Sequence, residues 1–184
     1  MENHVCQWWM GYFLVSPLRR IYNNPEKIIN PYVREGMKVL EVGSGMGFFS
    51  ISLARRVGKT GRIYSIDVQE KMLRSLKRRA RKAGVEDIIE TRLCSESSLQ
   101  IGDLTGKIDF ILAFAVVHEV LLQDILFKEL YSALKKDGMV LIAEPKNHVT
   151  EQDYNASLVS ATSSGFCIEN APIISKNYSA LLRK

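Results

Sequence analysis

Gly43, Ser44, Gly45, Met46 and Gly47 follow a short apolar run, Lys38-Val39-Leu40-Glu41-Val42, and precede residues at helical spacing. Glycines at such a junction let the backbone turn tightly and approach a ligand with no Cβ in the way. A turn of this kind also serves packing alone. The dinucleotide pattern G-x-G-x-x-G would need glycine at position 48, which is Phe48. Here the third glycine comes one residue early, and an acid, Glu41, stands two before the first. Asp67 ends the next apolar run, twenty residues after Gly47. A carboxylate there can accept hydrogen bonds from both hydroxyls of a ribose. Asp67 can also serve as the N-cap of the helix that follows, and the two roles are compatible.

A second group, His118, Glu119, Glu144, Lys146 and His148, follows later apolar runs. An imidazole titrates near neutral pH, so His118 is a candidate general base. Its alternative is a polar residue capping or packing the next helix. Glu144 and His148 either face a substrate or face only solvent.

These residues need a scaffold that brings strand ends together. Apolar runs stopped by glycine predict buried strands at 38–42, 62–67, 88–93, 108–114 and 138–143. Residues 48–57 carry a helical pattern that stops at Gly58. The stretch 69–83 is amphipathic, with Met72, Leu73, Leu76, Ala80 and Ala83 inward and Gly84 closing it. Residues 124–134 are also helical, and 167–174 with 178–182 form a hairpin. Strands alternating with helices predict an α/β fold with a parallel sheet covered on both faces, and the hairpin adds an antiparallel edge. Ligands in such sheets bind beyond the carboxyl ends of the strands.

With those motifs in order, the chain resembles the class I S-adenosylmethionine-dependent methyltransferases. V-L-E-V-G-S-G-M-G followed by Y-S-I-D resembles their first two motifs. D-F-I-L-A-F-A-V-V-H-E-V resembles the fourth-strand motif and L-K-K-D-G-M-V-L-I-A-E-P the fifth. The resemblance runs from about Pro31 to the end and is nearest to the small type-11 enzymes of the ubiquinone/menaquinone-biosynthesis kind. It implies a Rossmann-like, seven-stranded, mostly parallel sheet with a C-terminal antiparallel hairpin. It also implies S-adenosyl-L-methionine as cofactor and S-adenosyl-L-homocysteine as product. Glu41 would orient the cofactor's amino group. Gly43, Ser44, Gly45 and Gly47 would line its methionine and ribose parts. Asp67 would hold the ribose and Val68 would lie against the adenine. Where relatives often carry Asp near the adenine amino group this chain has Ser95, so Ser95 and Glu96 are the candidates. Ala113 and Phe114 would offer carbonyls to the ammonium group. His118 falls where relatives often carry histidine.

Methyl transfer needs donor and acceptor held close and aligned, and a base only when the acceptor starts protonated at its reacting atom. The segment before the first strand usually helps to build the acceptor pocket in this family. Trp8, Trp9, Tyr12 and Phe13 could form an apolar or cation-binding wall there, or pack as core, and His148 is a further substrate-side candidate. The expected acceptor is a small or lipophilic molecule. The expected organisation is one methyltransferase domain, 1–184, with an aromatic arm at 1–35 and a cofactor-binding core at 36–184.

Composition limits the rest. A hydrophobic fraction of 46% and a charged fraction of 24% are those of an ordinary globular protein. The cysteines, Cys6, Cys94 and Cys167, are odd in number and without metal spacing, so neither a disulfide framework nor a metal site is expected, and a cytoplasmic location is. The apolar stretch Val5–Val15 is too short for a bilayer, which takes about 20 helical residues, and its Met-Glu-Asn-His start lacks a signal's positive charge. No membrane span is expected. The net charge of +5 is mild. Arg74, Lys77, Arg78, Arg81 and Lys82 make one basic stripe, which suits either phosphates or the solvated face of an amphipathic helix. Small-molecule chemistry is the leading reading. RNA or protein methylation, a binding protein without catalysis, and a nicotinamide dehydrogenase are the alternatives, the last disfavoured by Phe48. Oligomeric state is not legible.

Overall fold

In the computed structural model, which describes residues 23–184, the apolar residues Val39, Leu40 and Val42 are buried in strand β1 (Lys38–Val42). Burial of neighbours on both faces of the pleat is the mark of a strand covered on both sides. A short helix α1 (Pro25–Ile29) comes first, with Asn24 accepting the Lys27 N–H at 3.1 Å. After β1 come α2 (Ser50–Val57), β2 (Arg62–Asp67), α3 (Glu70–Lys82) and β3 (Ile89–Leu93). β1 pairs with β2, and β2 with β3, all parallel. α2 and α3 pack on these strands through Leu53, Ala54, Val57, Met72, Leu73, Leu76 and Ala80. These elements belong to a compact unit ending at Leu93.

A second unit starts at Cys94. It holds β4 (Ile108–Phe114), α4 (Gln123–Ala133), β5 (Leu134–Pro145), α5 (Glu151–Ser163), β6 (Cys167–Asn170) and β7 (Asn177–Arg183). β4 and β5 are parallel, whereas β7 runs antiparallel to both β5 and β6. The strand order is β3-β2-β1-β4-β5-β7-β6. This is the Rossmann-like α/β sheet expected from the alternation of strands and helices, including its antiparallel C-terminal hairpin.

Three local features differ from the reading of the sequence. α2 begins at Ser50 rather than Phe48, because the glycine turn runs on to Phe49, which caps the helix. β5 begins at Leu134, paired with Ile108, and its register resumes only at Met139 opposite Phe110. The intervening bulge contains Asp137 at φ +63° and is tied by a Lys135–Asp109 ion pair of 2.6 Å. The sequence pattern does not signal helix α5: its buried positions are Tyr154, Ser157 and Ala161, with no aliphatic stripe. Trp8, Trp9, Tyr12, Phe13 and Cys6 lie outside the described residues. Among the described residues no helix is long and apolar enough to cross a membrane.

The turn between β1 and α2 depends on Gly47. Its φ is +85°, and a Cβ there would lie 2.2 Å from Cδ1 of the fully buried Leu76. Backbone strain and overpacking therefore act together. Gly47→Ala is expected to destabilise the protein by about 3 kcal/mol in urea unfolding. A loss below about 1 kcal/mol would show that Leu76 can move aside.

Candidate active site

Glu41 sits in the middle of a buried strand, so its carboxylate must find donors inside the protein. Its Oε2 accepts from the Ser50 hydroxyl at the start of α2 and, at 3.2 Å, from Ser65, its register partner on β2. The two hydroxyls are themselves 3.3 Å apart. Glu41 thereby ties β1, β2 and α2 together beneath the glycine turn.

The turn is held by backbone bonds. Ser44 N–H donates to the Ile66 carbonyl at 3.0 Å, and Gly47 N–H to the Ser44 carbonyl at 2.9 Å. Gly43, Gly45 and Gly47 all have positive φ, at +66°, +53° and +85°. A Cβ on Gly45 would meet nothing within 4 Å, so that glycine borders open space instead of a packed neighbour. The Ser44 hydroxyl is buried and has no hydrogen-bond partner among the described residues.

Asp67, at the end of β2, faces this turn. Oδ2 accepts the Gly45 N–H and Oδ1 the Gln69 N–H, both at 2.8 Å. Burial pushes the carboxyl pKa up, against the lowering effect of the two N–H bonds. α3 is capped at Gln69, and the Asp67 carboxylate bonds the cap residue's own N–H instead of the N–H groups one turn inside the helix. Asp67 is thus a clamp between turn and strand rather than an N-cap. Val68, next to it, is half-buried.

The second constellation lies at the ends of β4 and β5. Ala113 and Phe114 are buried as β4 ends, and Ala115 takes a left-handed φ of +55° while its N–H donates to the Ala143 carbonyl at 2.7 Å. The chain then makes one helical turn, Val117–Glu119. Glu144, 1% exposed on β5, accepts the N–H groups of Val116 and Val117 on Oε1 at 3.1 and 2.9 Å. Its Oε2 pairs with Nδ1 of His118. The Gln123 amide donates to the Val117 carbonyl at 3.1 Å and pins the same turn. The imidazole of exposed His148 stacks on that of His118, with ring centroids 6.2 Å apart.

This arrangement fixes the state of His118. Burial of the ring pulls its pKa down, but the Glu144 carboxylate, helped by Glu119, more than offsets this and holds it above 6.5. With Nδ1–H donated to Glu144, Nε2 is the nitrogen left to take or give a proton. The sequence marks both residues as candidates without showing that they pair. The available signal was that an acid ends β5, the strand beside the one His118 follows.

The remaining candidates stand apart. Ser95 closes its own turn: its hydroxyl accepts the Ser98 N–H at 3.1 Å and lies 3.2 Å from the Ser97 hydroxyl. Glu96 is exposed in that turn. The basic stripe on α3 is solvent-exposed, with Arg74 paired to Glu70 and Arg81 to Glu86, as on an ordinary solvated helix face. Among the described residues no group of three or more His, Cys, Asp or Glu side chains could hold a metal ion.

Residues 33–180 match the family model for a methyltransferase domain. The ubiquinone/menaquinone biosynthesis C-methyltransferase UbiE of Hydrogenovibrio crunogenus is 29% identical over 112 residues, 61% of this chain and 43% of that protein. The chain thus spans under half the length of the curated relatives it matches. Among solved structures, an S-adenosylmethionine-dependent methyltransferase from Aquifex aeolicus superposes with a TM-score of 0.85 at 23% identity, covering 97% of this chain and 98% of that one. Fibrillarin from Aeropyrum pernix, solved with natively bound S-adenosyl-L-methionine, gives a TM-score of 0.67 at 18% identity over 83% of this chain and 68% of that one.

The Glu144–His118 pair makes a sign-definite prediction. A histidine pKa raised by folding gives stability that is fully present below the unfolded-state value and is lost as pH rises through the folded one. In Glu144→Gln, burial acts with its main opponent removed. The His118 titration followed by NMR is expected to move from above 6.5 to below it, and this pH-dependent stabilisation to disappear. An unshifted titration would break the assignment.

Proposed function

The chain belongs to the methyltransferase-domain family, as a class I S-adenosylmethionine-dependent methyltransferase resembling UbiE, and we propose that it methylates a lipophilic hydroxyaromatic molecule of the quinol type. When bound, S-adenosylmethionine supplies a methyl group already activated on a sulfonium and leaves as S-adenosylhomocysteine. The observation that carries the proposal is His118, anchored through Nδ1 on buried Glu144 with Nε2 left for proton transfer. A phenolic acceptor starts protonated, so its oxygen–hydrogen bond must break for the ring to become a strong nucleophile. His118 Nε2 takes that proton and Glu144 steadies the imidazolium that forms. When a ring carbon takes the methyl group, that carbon loses its hydrogen as a proton, and the oxygen regains one as the ring becomes aromatic again. His148 flanks the same ring. The quinol class is suggested by the name of the UbiE relatives, ubiquinone/menaquinone biosynthesis C-methyltransferase.

The residues around the glycine turn fit a ligand bearing a ribose. Each oxygen of Asp67 accepts one backbone N–H and keeps a lone pair for a sugar hydroxyl. Among the described residues the buried Ser44 hydroxyl has no partner, and a Cβ on Gly45 would meet nothing within 4 Å. In the proposed site Asp67 holds the ribose and Val68 lies against the adenine. Glu41 acts from beneath by fixing the turn of Gly43, Ser44, Gly45 and Gly47. Glu96 is the adenine-side candidate, since the Ser95 hydroxyl serves its own turn, and the carbonyls of Ala113 and Phe114 serve the ammonium group. Trp8, Trp9, Tyr12 and Phe13, outside the described residues, are the aromatic candidates for acceptor binding. The family match runs unbroken through both units, which supports one catalytic domain in 1–184. Three widely spaced cysteines, odd in number and without metal spacing, support a cytoplasmic location.

Two measurements test this reading. Asp67→Asn is expected to weaken S-adenosylmethionine binding roughly tenfold to hundredfold in calorimetry, the worth of hydrogen bonds to a charged acceptor. His118→Gln is expected to lower kcat for methyl transfer to a hydroquinone by about 10²–10⁴ while cofactor affinity holds. Full activity in His118→Gln would remove the base.

A further inference from the structure

Ala115, where β4 ends, holds a backbone conformation that its side chain does not favour. Its φ is +55°, in the left-handed region. A Cβ crowds the following carbonyl oxygen there, so glycine is the usual occupant, with asparagine and aspartate next. Among the described residues three other non-glycine positions share this sign, Gln100, Asp137 and Lys176, and all three are exposed and polar. Ala115 is half-buried and has no polar side chain to offset the cost. Strain of this kind persists where the surrounding structure fixes it, and it clusters at functional sites.

The conformation coincides with a change of hydrogen-bond partner. The Ala115 N–H still follows the sheet and donates to the Ala143 carbonyl at 2.7 Å. The next two N–H groups leave the ladder: those of Val116 and Val117 both donate to Oε1 of Glu144, at 3.1 and 2.9 Å. His118 then pairs with Oε2 of the same carboxylate. Three consecutive residues thus converge on one buried side chain directly after the left-handed one. An extended φ at 115 would carry the chain on along β4. Successive N–H groups of a strand point to opposite edges, so two neighbours could not share one oxygen.

We propose that Ala115 is a positioning residue: its left-handed backbone turns the chain out of β4 so that the Val116 and Val117 N–H groups and the His118 ring meet one carboxylate, that of Glu144. The proposal rests on the His118 reading above and deepens it, because it places the cause of the Glu144–His118 pairing in a residue that belongs to neither partner.

The test is a series in the full chain, Ala115→Gly, Ala115→Asn and Ala115→Val, each followed by NMR titration of His118 and by thermal unfolding. The groups that face His118, namely Glu144, Glu119 and the His148 ring, are unaltered throughout, so a moved titration reports moved geometry. Glycine and asparagine accept the left-handed region, and both variants are expected to keep the His118 titration above 6.5. The glycine variant is expected to melt at or above the wild-type midpoint, whereas the same change inside an ordinary strand lowers it. Valine is β-branched and is the residue least suited to this φ. Its variant is expected to titrate below 6.5, burial then acting without the Glu144 contact, and to lose about 10²-fold in kcat, the cost of misplacing a reacting group by about 1 Å. Should the valine variant not fold, the glycine midpoint decides alone. A glycine variant that melts below wild type, or a valine variant whose His118 titration stays in place, would overturn the proposal. A moved titration with unchanged kcat would support the positioning role and remove His118 as the base, so the two readings fail separately.

Discussion

A carboxylate buried at the end of a parallel strand has to be bonded from within the protein, and this requirement shapes the Asp67 turn and, separately, the Glu144–His118 pair. Asp67 ends β2 and takes N–H groups from Gly45 and Gln69. Glu144 nearly ends β5 and takes those of Val116 and Val117 together with the His118 ring. Left unpaired, either charge would cost several kcal/mol. The loops are consequently held by the acids rather than the reverse. A glycine turn that could adopt many conformations is fixed on β2, and a histidine on a short turn is fixed on β5.

The same electrostatics tunes the groups for their proposed work. Burial raises Asp67, but two N–H bonds oppose that rise, which suits a carboxylate meant to accept sugar hydroxyls. His118 is raised because Glu144 outweighs the cost of burying an imidazolium. That makes the imidazole a stronger base than a free one, which suits a group that takes a phenolic proton. Neither tuning needs a long-range mechanism. Each follows from which atoms lie within hydrogen-bond distance of a buried carboxylate.

Much of this was legible in the sequence where one pattern sets one element. β1, β2 and β4 are apolar runs stopped by glycine or by a polar loop, and α3 has a plain amphipathic stripe closed by Gly84. The glycine turn and Asp67 could be located by spacing alone. α5 could not, because Tyr154, Ser157 and Ala161 make a buried face without aliphatic residues. The bulge in β5 was hidden because Lys135 and Lys136 read as a loop. Glu144 and His118 are 26 positions apart, and only strand pairing shows that one holds the other. Ser95 shows the reverse limit: its position matched a motif, while its hydroxyl is committed to a local turn.

The central claim is that His118, held by Glu144, is the base for the acceptor. It is tested most directly by the pH dependence of kcat for methyl transfer to two hydroquinones of different hydroxyl acidity. If His118 is the base, kcat rises with pH through one ionisation above 6.5, at the same position for both acceptors. An ionisation that moves with the acidity of the acceptor, or a flat profile, would contradict it.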